Sequence, residues 1–175
     1  YLLDDLMKAT AHANLFPVVP VVASNGLGTE ELLSLIEHGF PTPSLHPNPD
    51  FTRLNGEVTG PAPTDPSAPL IAQVIRTTTD PFAGRLSMVR IFSGTIKSND
   101  TLAVAGLRKG LKIAQLFEVQ ADKTEPVDEA GPGQIVAVTK MEDLRTGMSL
   151  GEFTLPAISF PAPMVGLAVS PKSRG

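Results

Sequence analysis

Hydrophobic positions along this chain follow two rhythms, one helical and one alternating. Over residues 2–14, Leu3, Leu6, Met7, Thr10 and Ala13 recur at helical spacing among good helix formers, with Asn14 as a stop. Phe16 to Ala23 is uncharged and β-branched, which predicts a short buried strand with Pro17 and Pro20 at its start or along an edge. Asn25-Gly26-Leu27-Gly28 reads as a loop, and Thr29 is the expected N-cap of a second helix. Glu30 and Glu31 fall in its first turn, where the helix dipole favours acids. Leu32, Leu35 and Ile36 form the expected inward stripe, and Gly39 with Pro41 ends the helix. Helix, strand, glycine loop, helix is the unit of a parallel α/β sheet, so residues 1–40 are expected to be the tail of a larger α/β domain.

Residues 41–69 hold eight of the seventeen prolines and little periodicity, which predicts an extended linker between two units. From Leu70 the period changes to two. Leu70 to Thr78 and Leu86 to Ser93 are rich in strand formers. A Ser98-Asn99-Asp100 turn leads to Thr101–Ala105, and Gly106 to Gly110 makes another turn. Leu111, Ile113, Gln115, Phe117 and Val119 then alternate with Lys112, Ala114, Leu116, Glu118 and Gln120. Gln134 to Val138 is a further strand, and Leu144 to Leu150 a turn around Gly147. Five or six short strands without a helix among them predict a mainly β fold, a small closed β-barrel over residues 70–160. Phe160-Pro-Ala-Pro163 is a second proline joint. Val165, Leu167 and Val169 beyond it alternate as one more strand, the expected start of a third unit at 161–175.

Composition narrows the chemistry. Eight Phe, one Tyr and no Trp leave aromatics scarce, and the absence of cysteine excludes disulfides, thiolate metal sites and a Cys nucleophile. That suits a reducing cytoplasm. No apolar run approaches the roughly 20 residues of a membrane span, and Asp4 and Asp5 stand where a signal peptide would be basic. A chain opening on Tyr1 is expected to be a piece of a longer one. The net charge of −4 hides an asymmetry. Residues 1–66 carry eight acids against Lys8 and Arg53, whereas residues 67–175 carry twelve Lys and Arg against ten acids. The second part can therefore present a basic face on an acidic chain.

Catalytic constellations are missing. His12, His38 and His46 are scattered and lack metal-ligand spacing, and no Ser sits in a G-x-S-x-G setting. There is no G-x-x-x-x-G-K-[ST] loop and no Asn-Lys-x-Asp, so this chain alone is expected to catalyse nothing and to hold no metal. The most distinctive stretch is Asp80-Pro81-Phe82-Ala83-Gly84-Arg85. Pro81 fixes φ, Gly84 can adopt angles closed to other residues, and between them Phe82 and Arg85 are held on a short loop. Such a loop either caps a barrel or makes a contact.

The run from Asp80 to Gly94, DPFAGRLSMVRIFSG, resembles the start of domain II of elongation factor G, a translational GTPase family. The resemblance continues through Lys112-Ile113-Ala114, Ala121-Asp122-Lys123, Val127 to Val138 and Thr146 to Leu150. Phe160-Pro-Ala-Pro-Met-Val165 is similar to the family's joint into domain III. Phe16-Pro-Val-Val19 with Gly28-Thr-Glu-Glu-Leu-Leu33 is similar to the last strand and helix of its G domain.

The resemblance implies a parent that binds GTP, with Mg, in its G domain and drives translocation on the ribosome, in the cytoplasm and as a monomer. It implies a domain II barrel that docks on small-subunit ribosomal RNA and couples the G domain to domain III. Phe82, Gly84, Arg85 and Lys97 are then the expected RNA contacts, by stacking and by phosphate pairing. The family's Gly-Ser-Ala guanine turn falls on Val21, Val22 and Ala23. Its Ser is missing, which leaves the Ala23 amide and Ser24 as the candidate contacts of a divergent paralogue. The alternatives are a non-catalytic barrel that binds protein partners, or a ribosome-protection or release-factor relative.

Overall fold

The computed structural model describes residues 2–53, 55–80, 84–121 and 123–172. Two helices come first, α1 (Leu2–Ala11) and α2 (Thr29–Gly39). Thirteen strands follow in the described residues: β1 (Asp50–Arg53), β2 (Val58–Pro61), β3 (Ile71–Asp80), β4 (Gly84–Ser93), β5 (Ile96–Lys97), β6 (Thr101–Leu102), β7 (Leu111–Lys112), β8 (Leu116–Gln120), β9 (Lys123–Val127), β10 (Glu129–Ala130), β11 (Ile135–Thr139), β12 (Ser149–Gly151) and β13 (Phe153–Thr154). The fold is mainly β, as the alternating pattern predicts.

The centre is a six-stranded sheet in the order β12-β3-β4-β11-β8-β9, antiparallel at every pair. By its ladders this sheet is open. Short pairings extend both of its edges. Val104 bridges Leu150, and Gly151 donates to the Ala103 carbonyl, so the chain leaving β6 lies along β12. Beyond β9, β10 pairs with β5, and Ser98 donates its amide to the Asp128 carbonyl. Val74, Val89, Ile91, Ile96, Ile113, Leu116, Val136, Val138, Leu144 and Leu150 form one buried core drawn from all these pieces. That sharing explains why two-residue strands survive: β5, β6 and β7 bring Ile96, Leu102 and Leu111 to a common interior, and β10 brings Ala130.

The β3–β4 ladder is the longest, running from Ile71 opposite Ser93 to Asp80 opposite Gly84. Its register slips twice, leaving Phe92 unmatched in one strand and Ile75 in the other. The slips are opposite in sense, so the hairpin end regains the pairing with which the ladder began. Gly94 closes the other end with φ +73, and a Cβ there would lie 2.7 Å from the Leu70 Cα and 2.9 Å from the Ala68 carbonyl oxygen.

Several expectations are overturned. Phe16 to Ala23 is not a buried strand. Phe16 is 79% and Val18 92% exposed, and the segment makes one bridge, Val22 to Leu27. Pro17 and Pro20 lack the amides a ladder needs, and among the described residues no strand lies beside them. Thr29 does not cap α2. Gly28 occupies that position in the left-handed region at φ 76, with no side-chain cap bond. Leu32 and Leu35 are half-buried, but Ile36 faces solvent at 46% exposure.

The proline-rich stretch is not all linker, since it contains the β1–β2 hairpin, which also pairs with β13. Phe51 meets Phe153 edge-on at 4.9 Å and joins Ala62, Ile71, Phe92 and Leu155 in a second core. Nor is 111–120 one strand. Ile113 and Leu116 are both buried, so the alternation loses phase between β7 and β8. The alternating residues 164–170 form no strand, and Met164, Val165, Leu167 and Val169 are all more than three-quarters exposed.

Candidate nucleic-acid interface

The turn from Asp80 to Gly84 closes the β3–β4 hairpin, and Asp80 and Gly84 are its last pair. Phe82 lies outside the described residues. Gly84 is exposed at φ 73, and a Cβ there would meet nothing within 4 Å. Here the glycine serves backbone conformation alone, without any close approach.

Arg85, opposite Thr79, is half-buried, with its Nε out of contact with solvent and without a hydrogen-bond partner among the described residues. It shares its strand face with Ser87, Val89 and Ile91, the core side of β4. Ser87 Oγ and Thr77 Oγ1, from the cross-strand pair two steps along the ladder, are likewise buried without partners among the described residues. Such unpaired donors are costly in an apolar interior, so Arg85 is a poor core residue and a better contact residue.

Lys140 belongs here too, although nothing in its sequence setting singled it out. It follows β11 with φ 60, and its amide donates to the Arg85 carbonyl at 3.2 Å. A second cation therefore stands on the chain beside Arg85. Its place at the end of the Gln134–Val138 strand pattern points to the site only once β11 is known to pair with β4.

Lys97 is elsewhere. Eight residue steps separate Arg85 from Ser93, about 26 Å of extended strand, and Lys97 lies beyond Gly94. Its Nζ pairs with Glu129 at 3.3 Å with both side chains over 60% exposed, so its charge is partly matched. The four expected RNA contacts thus do not form one cluster. Arg90 is half-buried and lies over the Phe92 ring at 5.1 Å.

The far end of the ladder is held by the turn at Asp65. Asp65 Oδ1 accepts from the Ser67 hydroxyl at 2.7 Å and its amide at 2.8 Å, while the Asp65 carbonyl accepts from Gly94. These hydrogen bonds, chiefly the hydroxyl, hold the Asp65 carboxyl below its usual range. Thr95 adds a hydroxyl bond to the Pro66 carbonyl.

Ala23 and Ser24 lie in an exposed turn from Val22 to Leu27. The Val22 amide donates to Leu27 and its carbonyl accepts from Gly26, whereas the amides of Ala23 and Ser24 point to no acceptor among the described residues. No hydrogen bond among the described residues joins this turn to the β3–β4 hairpin. Among the described residues there is no group of His, Cys, Asp or Glu able to hold a metal, and no helix is long and apolar enough to cross a membrane.

Residues 69–153 match the family model for elongation factor G domain 2. That segment contains the hairpin, its ladder and the central sheet. The chain belongs to the elongation factor G family. The Elongation factor G-like protein of Mycobacterium tuberculosis is 33% identical over 99% of this chain and 27% of its own length. Elongation factor G 1 of Synechocystis is 32% identical over 99% of this chain and 26% of its own. A crystal structure of a Thermus thermophilus protein superposes with a TM-score of 0.67 at 25% identity, covering 96% of this chain and 24% of that one. The chain spans about a quarter of the length of these relatives, so in this family it corresponds to a translation-factor fragment built on domain II.

Proposed function

We propose that residues 70–160 form the ribosome-docking domain of an elongation-factor-G-like protein and contact small-subunit ribosomal RNA through the hairpin end of the β3–β4 ladder. The observation that carries this reading is Arg85. Its side chain is half-buried beside an exposed glycine turn, and its Nε has no hydrogen-bond partner among the described residues, in the stretch that most resembles the family. An arginine so placed can pair with phosphate, and Phe82 can stack on an unpaired base.

The two edges of the central sheet, extended by β6, β7, β5 and β10 around one interior, support a barrel-like closure of this domain. Residues 1–40 are read as the end of a G domain and 161–175 as the start of domain III. The intact parent would bind GTP with Mg upstream of this chain, act as a cytoplasmic monomer, and couple hydrolysis to translocation through these joints. The loose turn at Ala23 and Ser24 would offer backbone amides to guanine without the family's serine.

Co-sedimentation of the intact parent with ribosomes tests the docking surface. Phe82→Ala and Arg85→Glu are expected to weaken binding and make it more salt-sensitive. Unchanged pelleting of both variants would assign the hairpin a structural role.

A further inference from the structure

A second cationic feature of the β-domain stands apart from the hairpin. Between Asp100 and Glu118 the chain carries Arg108, Lys109 and Lys112 and not one acid. The structure folds this interval into a hairpin tip. β6 and β7 pair Thr101 with Lys112 and Leu102 with Leu111. Leu107 and Leu111 pack against the main core on either side of the tip, and the Leu107 amide donates to Val104 at 3.0 Å. Gly106 turns the chain at φ 88, and Gly110 lies so close to Thr101 and Leu102 that a Cβ would stand 2.9 Å from the Thr101 methyl.

With the leucines turned inward, Arg108, Lys109 and Lys112 are left exposed. None of the three has an ion-pair partner among the described residues, unlike Lys97. Two acids, Asp100 and Glu152, border the base of the hairpin. Asp100 is occupied with the Lys97 amide, and Glu152 borders Thr101 to Ala103. Three unmatched cations held on a preorganised loop in a chain of net charge −4 are a local departure from the whole molecule.

We infer that the β6–β7 tip is a second anion-contact site, one that binds the phosphodiester backbone of RNA through Arg108, Lys109 and Lys112. It deepens the docking reading and rests on it for the source of that RNA. Phosphate is the partner that charge complementarity favours over an acidic protein patch. It offers regularly spaced charge without sequence, and the tip offers charge without an aromatic side chain that could read bases.

The test uses the full 175-residue chain with a fluorescent RNA stem-loop, and polyglutamate as the competing polyanion. Three phosphate contacts predict a log–log salt slope of roughly −2 to −3, and Arg108→Glu with Lys109→Glu is expected to lower affinity at least about tenfold and flatten that slope by about 1.5 or more. Arg108→Ala with Lys109→Ala should move both readouts the same way by less, which separates charge from any folding defect of the reversal. RNA affinity unchanged in both double variants, or polyglutamate bound as tightly as RNA, overturns the proposal. Small-subunit pelleting that depends on Arg85 but not on the tip also overturns it while leaving the docking reading intact. RNA binding lost in the tip variants, with no pelleting of the parent at all, upholds the tip and removes the ribosome as its source.

Discussion

Glycines with nearly the same backbone angle do different work at the two ends of one strand. Gly84 and Gly94 both have φ +73, but only Gly94 is crowded by backbone, at Leu70 and Ala68. Gly84→Ala should therefore cost only the roughly 1–2 kcal/mol of left-handed backbone, whereas Gly94→Ala should cost clearly more. Urea unfolding of the two variants checks the order. Lys140, at φ 60, is the converse case. Lys140→Gly should be neutral or stabilising by about 0.5–1 kcal/mol, with a modest loss of RNA affinity. Asp65 supplies a pH dependence. Its folded-state carboxyl is depressed below 3.8, so its contribution is complete above that value and lost as pH falls through the lower folded value. Asp65→Asn should be less stable than the wild type at neutral pH, and the difference should vanish in strong acid. Gly84's role could be read from residue type, but those of Gly94, Lys140 and Asp65 depend on neighbours that only the fold brings together.

At the level of elements, strands that alternate or carry long β-branched runs were legible, and β3, β4 and β11 fall close to where the pattern puts them. What failed was pairing. β1 and β2 sit in a proline-rich stretch whose single strong signal is Phe51, and that ring is satisfied only by Phe153, more than a hundred residues on. Phe16 to Ala23 failed the other way, having strand composition but no partner strand. The candidate site was half legible, since Arg85 was visible as a lone cation near a glycine, but Lys140 needed the β4–β11 pairing. Phe51→Ala should cost about 3–4 kcal/mol as a buried aromatic truncation. Hydrogen exchange should then accelerate in β1, β2 and β13 well before β4 and β11.

For the whole molecule, order is unevenly distributed. The six-stranded sheet shares one interior, while residues 156–172 contribute no ladder and leave Phe160, Met164, Leu167 and Val169 exposed. Limited proteolysis read by mass spectrometry should cut first there and in the extended stretch around Phe16 to Val22, with residues 70–155 persisting as a resistant band. Charge is divided too, with an acidic first part and a basic patch on the β-domain, so anion binding by the whole chain should fall steeply with salt despite its negative total.

The two slips in the β3–β4 ladder carry a consequence for curvature. Ile75 and Phe92 are each one residue too many on opposite strands, so they act as two bends whose effects on register cancel while their effects on shape add. Deleting Ile75 would restore regular pairing there without disturbing the closing pair of Asp80 and Gly84. The strand would straighten, and the short pairings at the two edges of the sheet would be drawn apart. Stability gained along the ladder would be lost from the shared interior, and a flatter sheet with open edges would be prone to stack on its own kind.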